Sequence, residues 1–260
     1  MRGYVKPMPS TVKTHYDNLL AEHYDWMFAV PFDAKVAEQK ALLREFVSAA
    51  GPNAGLAVDL GCGSGFQSVA LAELGCQVLA VDVSEKLLQQ LGARIASRNI
   101  TTRHADLLSL DCLVATDSAS TVVCMGDTLT HLTSRNEVSA LFRSVCRALM
   151  PGGQFVVTYR DLANGELQGL DRFIPVRGDE RRVMTCFLEY ESPETVVVHD
   201  LINVREQDGN WTLHKSSYRK LRLAIDWIRE QLIAAGFSIT LQRPGRLVTI
   251  AATKPRSASR

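Results

Sequence analysis

The chain has 260 residues, of which 46% are hydrophobic and 22% are charged, and its formal net charge is +1. This composition is typical of a soluble globular protein, and the near-neutral charge excludes a general electrostatic attraction to nucleic acid or to an anionic membrane. The six cysteines are scattered without a C-x-x-C pair, and no signal peptide or bilayer-spanning apolar run is recognised. We therefore expect free thiols, no metal site and a cytoplasmic location.

The N-terminal part is predicted to be helical. Apolar and aromatic residues recur at helical spacing over residues 13–28, and this pattern predicts an amphipathic helix that ends before Pro31. A second helix is predicted over residues 33–50, with Asp33 as its N-cap. We assign residues 1–52 to an N-terminal helical cap, whose first eleven residues are expected to form a loose tail.

Strands and helices alternate over residues 53–161, which is the pattern of a doubly wound α/β sheet with mainly parallel strands. The predicted strands are Ala57–Leu60, Gln77–Val81, Thr101–His104, Ser120–Met125 and Gln154–Tyr159. The predicted helices are Phe66–Leu74, Glu85–Arg98 and Arg135–Leu149, and the last two have Ser84 and Ser134 as N-caps. Because ligand-binding loops of such sheets gather at the carboxyl ends of the strands, we expect the functional site there.

The region over residues 162–222 breaks this alternation. Runs of strand-forming residues, separated by Ser192-Pro193-Glu194 and Gln207-Asp208-Gly209-Asn210, predict an inserted antiparallel β meander, which forms either a lid or a dimer surface. The basic run Arg219-Lys220-Leu221-Arg222 is short and interrupted, so it predicts a solvated strand and no nucleic-acid patch. Residues 223–260 supply a last helix and a β hairpin.

Glycines at every second position follow the first strand of the sheet. The stretch Leu56 to Gly65 predicts a strand, a tight turn and a helix N-terminus, where free backbone N–H groups can bind an anionic group. Its D-x-G-x-G-x-G spacing, which begins at Asp59, differs from the G-x-G-x-x-G fingerprint for dinucleotides. A second acid, Asp82, ends the next strand, where an acid that binds a ribose is expected. Two acids around a glycine turn indicate a nucleoside ligand without a pyrophosphate.

These two segments carry a family resemblance. Val58-Asp59-Leu60-Gly61-Cys62-Gly63-Ser64-Gly65 resembles the first motif of the class I S-adenosylmethionine-dependent methyltransferases, and Ala80-Val81-Asp82-Val83-Ser84 resembles the second. The resemblance implies a Rossmann-like, seven-stranded sheet whose last strand is antiparallel. It also implies S-adenosyl-L-methionine as cofactor, S-adenosyl-L-homocysteine as product and a small-molecule methyl acceptor. An ordinary Rossmann-like turn for another nucleotide is the alternative.

The resemblance further implies which residues bind the cofactor. They are Tyr24, Trp26, Phe28, Lys35, Asp59, Gly61, Cys62, Gly63, Gly65, Asp82, Val83, Asp106, Leu107, Met125, Gly126 and Thr128. Asp59 and the glycine turn would hold the methionine end, Asp82 the ribose hydroxyls, and Val83 the adenine. Asp106 would meet the adenine edge, unless it caps a helix or lies in solvent. Four aromatic residues of the N-terminal cap, Tyr16, Tyr24, Trp26 and Phe28, would cover the cofactor, unless they only pack the helices onto the core, and Lys35 would meet the cofactor carboxylate.

The fourth strand narrows the resemblance. Val122 to Leu132 is similar to the segment C-[LM]-G-N-S-x-x-H-L of the glycine and sarcosine N-methyltransferase group. Met125 to Thr128 would then line the transferred methyl group. Asp127 stands where that group has asparagine, which places an anionic group near the sulfonium and favours an amine acceptor. His131 either serves as a base or braces the loop.

A motif after the fifth strand gives the last candidate residue. Tyr159-Arg160-Asp161 is similar to the H-R-N of the same group, in which the arginine meets a substrate carboxylate, although Arg160 could instead pair with a neighbouring aspartate. The candidate catalytic residues are therefore His131, Asp127 and, for substrate positioning, Arg160.

The sequence thus predicts a methyltransferase of the EC 2.1.1 class that acts on a small molecule, with an amine nitrogen as the preferred acceptor. A non-catalytic protein that binds S-adenosylmethionine or S-adenosylhomocysteine is one alternative, and an O- or C-methyltransferase is another. We expect no nucleic-acid or membrane partner, and a homodimer is compatible with the inserted meander.

Overall fold

The computed structural model describes residues 9–48, 55–95 and 99–256. The strands within these ranges are β1 (Leu56–Leu60), β2 (Gln77–Asp82), β3 (Ile100–His104), β4 (Ala119–Cys124), β5 (Leu149–Tyr159), β6 (Phe173–Gly178), β7 (Arg182–Tyr190), β8 (Thr195–Arg205), β9 (Trp211–Leu221), β10 (Ser238–Arg243) and β11 (Val248–Thr253). The α-helices are α1 (Val12–His15), α2 (Ala21–Met27), α3 (Phe32–Ser48), α4 (Phe66–Glu73), α5 (Glu85–Gly92), α6 (Leu110–Leu113), α7 (Arg135–Ala148) and α8 (Ile225–Ala234). In the described part of the chain, no helix has the length and apolar character needed to cross a membrane.

The larger sheet has seven strands in the order β10-β11-β5-β4-β1-β2-β3. The last strand, β11, runs antiparallel to both of its neighbours, whereas β5, β4, β1, β2 and β3 pair in parallel. This arrangement confirms the predicted Rossmann-like sheet with an antiparallel last strand. The chain reverses its direction of winding between β1 and β4, and such a switch point is where open α/β sheets form a ligand crevice at the carboxyl ends of the strands.

Both faces of this sheet are covered. Val58 and Leu60 of β1 are fully buried in one apolar cluster, which includes Phe142 of α7. Ala57 of the same strand belongs to the cluster on the opposite side, together with Leu43 of α3. Burial of a large apolar side chain contributes about 1.5–3 kcal/mol, so the two layers hold β1 and the turn that follows it in place.

The region over residues 162–222 contains a second, antiparallel sheet in the order β6-β7-β8-β9. The sequence predicted the runs that became β7, β8 and β9 but not β6. Pro175 lies inside β6, and a proline within a run argues against a strand unless that strand is at an edge. Here β6 is the edge strand, and its register shifts beside Pro175.

The N-terminal helical segment lies between the two sheets. It consists of α1, a π-helical stretch at Tyr16–Leu20 and α2. Leu19 and Leu20 pack against Met184 and Ile202 of the second sheet. A π-helical turn is rare and frequently occurs at a functional site, which directs attention to the side chains of this stretch.

The N-terminal prediction needs two corrections. Helix α3 begins at Phe32, one residue before the predicted cap. The end predicted for it at residue 50 lies outside the described residues. Ser10, predicted to belong to a loose tail, donates its backbone N–H to the carbonyl oxygen of Ser217 at 2.8 Å. The chain ahead of α1 is therefore attached to β9.

The capping predictions at Ser84 and Ser134 are confirmed. The Ser84 hydroxyl oxygen accepts from the backbone N–H of Leu87, and that of Ser134 accepts from the N–H of Glu137. Helix α5, however, ends at Gly92 and not at residue 98. The amphipathic spacing of its sequence continues past the point at which the backbone hydrogen bonds stop.

Candidate active site

A cavity of about 680 Å³ lies at the switch point of the seven-stranded sheet. One part of its wall comes from the loops after β1, β2 and β3 and includes Gly61, Gly63, Asp82, Val83, Asp106 and Leu107. The facing part comes from the π-helical stretch, the loop after β4 and β9, and includes Tyr16, Gly126, Thr128, His131, Arg219 and Lys220. The size falls within the range of about 300–1,000 Å³ that small-molecule and cofactor sites occupy.

The glycine turn after β1 forms a close-fitting wall of this cavity. Gly61 and Gly63 have φ values of +72° and +55°, which is the left-handed region that favours glycine. A Cβ atom on Gly63 would stand 2.9 Å from the Tyr24 hydroxyl oxygen, and one on Gly61 would overlap the Thr128 side chain. The turn therefore needs glycine both for its backbone conformation and for the approach of the two neighbouring side chains.

Asp82 connects the glycine turn with the next loop. Its Oδ2 accepts from the backbone N–H of Gly63, and its Oδ1 accepts from the N–H of Ser84, both at 2.8 Å. Burial raises the pKa of this carboxyl group, although the backbone hydrogen bonds act in the opposite direction. The residue lines the cavity and a carboxylate has about four acceptor sites, so Asp82 can still accept from a hydroxyl group such as those of a ribose.

Asp59 and Cys62 were predicted to contact the cofactor, but neither side chain lines the cavity. Asp59 is 1% exposed, and its Oδ2 accepts a 2.6 Å hydrogen bond from the Ser68 hydroxyl of α4. Burial raises its pKa to about 7. The Cys62 thiol is also buried, and burial raises its pKa. Asp59 thus links the end of β1 to α4 and does not face the cavity.

Asp106 is an exposed residue with the capping role considered for it, and its contact with the adenine edge stays a prediction. Its Oδ1 accepts from the backbone N–H of Leu108 at 2.8 Å and so caps the short 3₁₀ helix Leu107–Ser109. The same residue lines the cavity beside Val83. Because the cap fixes the orientation of Asp106 at the cavity wall, its carboxylate can accept a hydrogen bond from a ligand amino group.

The residues predicted to cover the cofactor or to meet its carboxylate lie in different places, and only some of them line the cavity. Tyr24 lines the cavity. Phe28 packs edge-on against Phe66 of α4, and Lys35 pairs with Glu38 on its own helix. The Trp26 indole N–H donates to Asp179 of the β6–β7 connection, which places Trp26 against the second sheet. Trp26, Phe28 and Lys35 do not line the cavity.

The loop after β4 is held by Asp127, which has a positive φ of +80°. Its Oδ2 lies 2.5 Å from Nζ of Lys220, and both side chains are at most 10% exposed. Its Oδ1 accepts from the backbone N–H of Arg160 at 2.9 Å. The expectation that Asp127 presents a free negative charge to the sulfonium is therefore wrong, because the Lys220 ammonium group neutralises it.

Arg160 lies beside this pair. Its side chain is 43% exposed, and its Nε is 3.5 Å from Oδ2 of Asp127. It does not line the cavity. The ion pair with Asp127, one of the alternatives considered for Arg160, is present, and a contact with a substrate carboxylate stays a prediction.

His131 lines the cavity and is surrounded by aromatic rings. Its ring centroid lies 5.7 Å from that of Tyr16 and 5.4 Å from that of Tyr218. Burial, together with the charges of Lys220 and His15, holds the pKa of His131 well below its usual value of 6.5. The imidazole is therefore neutral near pH 7, and its buried Nε2 has no hydrogen-bond partner among the described residues.

Two groups of residues at this site were not predicted from the sequence. The first is Lys220, which was assigned to a solvated strand although it and Arg222 are at most 9% exposed. The alternation of Tyr218 and Lys220 along β9 was an available signal, because residues two apart on a strand share a face. The second group holds the N-terminal segment over the cavity. Asp17 of the π-helical stretch and Asp25 of α2 bond to hydroxyl groups of the core.

Within the described ranges, no group of three or more His, Cys, Asp or Glu side chains is arranged to hold a metal ion. The site is instead a cavity with fixed acids and a glycine turn at one end and an uncharged imidazole at the other.

The chain is similar to known methyltransferases over part of its length. A family model described as a methyltransferase domain matches residues 57–153. The cypemycin N-terminal methyltransferase of a Streptomyces species is 34% identical over 158 residues, which are 60% of this chain and 60% of that protein. The glycine N-methyltransferase of Mus musculus is 29% identical over 140 residues, which are 49% of this chain and 47% of that protein. The alignments thus span 60% or less of these two relatives.

Two solved structures share the fold over nearly the whole chain. The CcbJ methyltransferase from Streptomyces caelestis has a TM-score of 0.76 at 21% identity, and the superposition covers 94% of this chain and 99% of that one. The S-adenosylmethionine-bound CalS10 from Micromonospora echinaspora, an amino pentose methyltransferase, has a TM-score of 0.69 at 16% identity, with 96% and 100% covered. Residues 57–153 are thus a methyltransferase domain, and the chain is similar in its motifs at Asp59 and Asp82 and in its fold to the class I S-adenosylmethionine-dependent methyltransferases, whose cofactor is S-adenosylmethionine.

Proposed function

We propose that the protein transfers a methyl group from S-adenosylmethionine to an amine nitrogen of a small-molecule acceptor. The observation that carries the proposal is one continuous cavity, which has Asp82 and the glycine turn in one part of its wall and His131 in the facing part. The volume of about 680 Å³ suits a cofactor and a small acceptor together.

The residues present fit the cofactor. The close approach of Tyr24 to Gly63 leaves no room for a Cβ atom at the turn. The backbone N–H groups of Gly61, Cys62, Gly63 and Gly65 donate to acceptors within the protein, so the turn contributes its shape to the cofactor site and not the free N–H groups expected from the sequence. In this proposal Asp82 accepts hydrogen bonds from the ribose hydroxyls, Val83 packs on the adenine, and Asp106 accepts from its amino group. Gly61, Gly63, Gly126 and Thr128 surround the methionine end, and Leu107 lines the cavity beyond Asp106 in the chain. Gly65 and Met125, which were predicted to bind the cofactor, do not line the cavity.

S-adenosylmethionine, when bound, supplies an electrophilic methyl group on a good leaving group. The main tasks of the protein are then to orient the acceptor and to exclude water. Tyr16 and the N-terminal segment close the cavity over the acceptor. His131 lines the cavity and is kept neutral by its surroundings, so it can accept the proton that an amine nitrogen must lose.

The choice of nitrogen as the methyl-accepting atom rests on the names of three similar proteins. The cypemycin N-terminal methyltransferase, the glycine N-methyltransferase and the amino pentose methyltransferase all have names that refer to amino groups or nitrogen methylation. A protein that only bound the cofactor would not need the uncharged imidazole and the closed acceptor wall, so we favour turnover over the non-catalytic alternative.

The test is methylation of a panel of primary and secondary amines, with phenols and carbon acids of similar size as comparators. Formation of S-adenosylhomocysteine together with an N-methylated amine supports the proposal. An O- or C-methylated product instead would identify the acceptor class as oxygen or carbon. Cofactor binding without any product from a wide panel would favour the non-catalytic alternative.

We also propose that the outer face of the second sheet packs against a second copy of the chain. Trp211, Leu213, Phe173 and Val183 are each 41–51% exposed on this sheet. Val183 and Leu213 lie in one row, since both align with Asn203 of β8. A two-fold contact would bury the same patch on both copies.

A further inference from the structure

The ion pair between Lys220 and Asp127 joins the two sheets at the acceptor end of the cavity. Lys220 is carried by β9 of the second sheet, and Asp127 is carried by the loop after β4 of the first, 93 positions earlier in the chain. The side chains are 10% and 5% exposed. The pair is thus a buried link between the insertion and the loop at the site.

Asp127 determines the shape of that loop. Its Oδ1 accepts from the Thr130 hydroxyl group at 3.0 Å and from the backbone N–H of Arg160 at 2.9 Å. Its own N–H donates to the carbonyl oxygen of Thr158 at 3.1 Å. With φ at +80°, this residue holds a conformation that a non-glycine residue keeps only when its surroundings impose it.

The residues on both sides of Asp127 form the wall of the cavity. Gly126, Thr128 and His131 all line it. The Thr128 hydroxyl group also lies 3.4 Å from the carbonyl oxygen of Gly61 in the glycine turn. A displacement of Asp127 would therefore move the loop relative to the turn that cradles the cofactor.

We propose that Lys220 is a positioning residue of the methyl-transfer site, which holds Asp127 and thereby fixes the loop that carries Gly126, Thr128 and His131. This inference rests on the proposed methyl transfer. A buried ion pair contributes little net stability compared with an apolar pair of the same volume. Its directional bonds do specify the relative position of strand and loop, which is the property that a methyl-transfer geometry requires.

Lys220 also influences His131 electrostatically. The groups that face His131 are His15 and Tyr16 of the N-terminal segment, Tyr218 and Lys220 of β9, and Asp127 of its own loop. After burial, the positive charge of Lys220 is the largest cause of the low pKa of His131. Replacement of a residue that served only as packing would leave the titration of His131 unchanged. The titration of His131 is therefore a specific readout of the role of Lys220.

The experiment is a double-mutant cycle of Lys220→Met and Asp127→Asn, with Lys220→Arg as the conservative variant. Lys215→Met, an exposed position on the same strand, is the matched control. The readouts are amide hydrogen exchange of residues 126–131, kcat and KM for the acceptor, and the titration of His131 by NMR of ¹³C-labelled histidine.

Lys220→Met is expected to speed amide hydrogen exchange over residues 126–131. It should also lower kcat about 100-fold, as expected for a displacement of this loop by about 1 Å, while KM changes little. In the Asp127→Asn background the same substitution should add little, because Lys220 acts through Asp127. The His131 titration should move to higher pH in Lys220→Met and stay in place in Lys220→Arg. Lys215→Met should resemble the wild type in every readout.

Unchanged loop exchange and kcat in Lys220→Met would overturn the inference, and so would an equally large effect of Lys220→Met in the Asp127→Asn background. If Lys220→Met fails to fold, Asp127→Asn is compared with the double variant, which leaves no unpaired charge at this position. A further loss of loop protection in the double variant would then contradict the proposed route through Asp127. If the wild type methylates no amine, the proposed function fails, whereas the exchange and titration readouts still decide the role of Lys220.

Discussion

The Ser84 hydroxyl group donates a 2.7 Å hydrogen bond to Oδ1 of Asp17, and this bond ties the N-terminal segment to the loop after β2. Ser84 also caps α5 and lies two residues after Asp82. A second tie joins Asp25 of α2 to the Ser64 hydroxyl group at 2.6 Å. The N-terminal segment is thus bonded directly to the loops after β1 and β2, which line the cavity.

Asp17→Ala is predicted to loosen this closure. Loss of one such hydrogen bond corresponds to about 1 kcal/mol, or about fivefold, so S-adenosylmethionine should dissociate about fivefold faster. Hydrogen exchange over residues 12–27 should increase in parallel. Asp33→Ala removes an exposed acid of α3 and is the control. Equal dissociation rates for the two variants would show that the tie does not retain the cofactor.

Gly63→Ala is predicted to weaken cofactor binding about tenfold or more. The added Cβ would meet the Tyr24 hydroxyl group, and a positive φ costs a non-glycine residue about 1–3 kcal/mol. Gly92→Ala is the control, because nothing lies within 4 Å of an added Cβ there and alanine favours the helix. Calorimetric titration of both variants makes the comparison, and native affinity in Gly63→Ala would contradict the role of the turn.

Asp59→Asn is predicted to change the pH dependence of stability but not cofactor affinity. The folded protein holds the pKa of Asp59 at about 7, above its usual 3.8, so the native state binds a proton that the unfolded chain has lost. The free energy of unfolding should therefore fall by up to about 1.4 kcal/mol per pH unit as pH rises between about 4 and 7.

In Asp59→Asn this contribution disappears. His131 acts in the opposite direction below pH 6.5, because its pKa is lowered on folding, but it is present in both proteins and cancels in the difference. Denaturant unfolding at pH 5 and pH 7 measures the change. Identical pH slopes would show that Asp59 is ionised in the folded protein, and a large loss of cofactor affinity would show that it contacts the methionine end.

Leu213→Lys is predicted to separate the proposed dimer. It places a charge in the middle of the apolar outer face of the second sheet, where an unpaired buried charge is strongly unfavourable. Ile233→Lys alters a 56% exposed apolar side chain on α8 and is the control. Light scattering after gel filtration measures the mass. A wild type that is monomeric at all concentrations would contradict the dimer.

The sequence predicted those parts of the fold that depend on local pattern. Asp82 and Asp106 were located because the first ends and the second follows a predicted strand, and the carboxyl ends of parallel strands meet at one edge of a sheet. The strand β6 was missed because Pro175 obscures its pattern.

Contacts between distant segments were not predictable in this way. His15 and Asp200 form a buried 3.0 Å pair across 185 positions, and neither residue belongs to a motif. The same is true of Lys220, whose partner depends on how the second sheet docks against the first. The part of the cavity wall that holds Asp82 and Asp106 is thus encoded in local motifs, whereas the part that holds Lys220 is assembled by tertiary packing.

Calorimetric titration with S-adenosylmethionine tests the central claim most directly, with Asp82→Ala measured alongside the wild type. We predict saturable 1:1 binding by the wild type and a loss of affinity of about tenfold or more in Asp82→Ala, because two hydrogen bonds to the ribose would be lost. Thermal unfolding without ligand checks that the variant is folded. Absence of binding by the wild type, or equal affinity in a folded Asp82→Ala variant, would contradict the account.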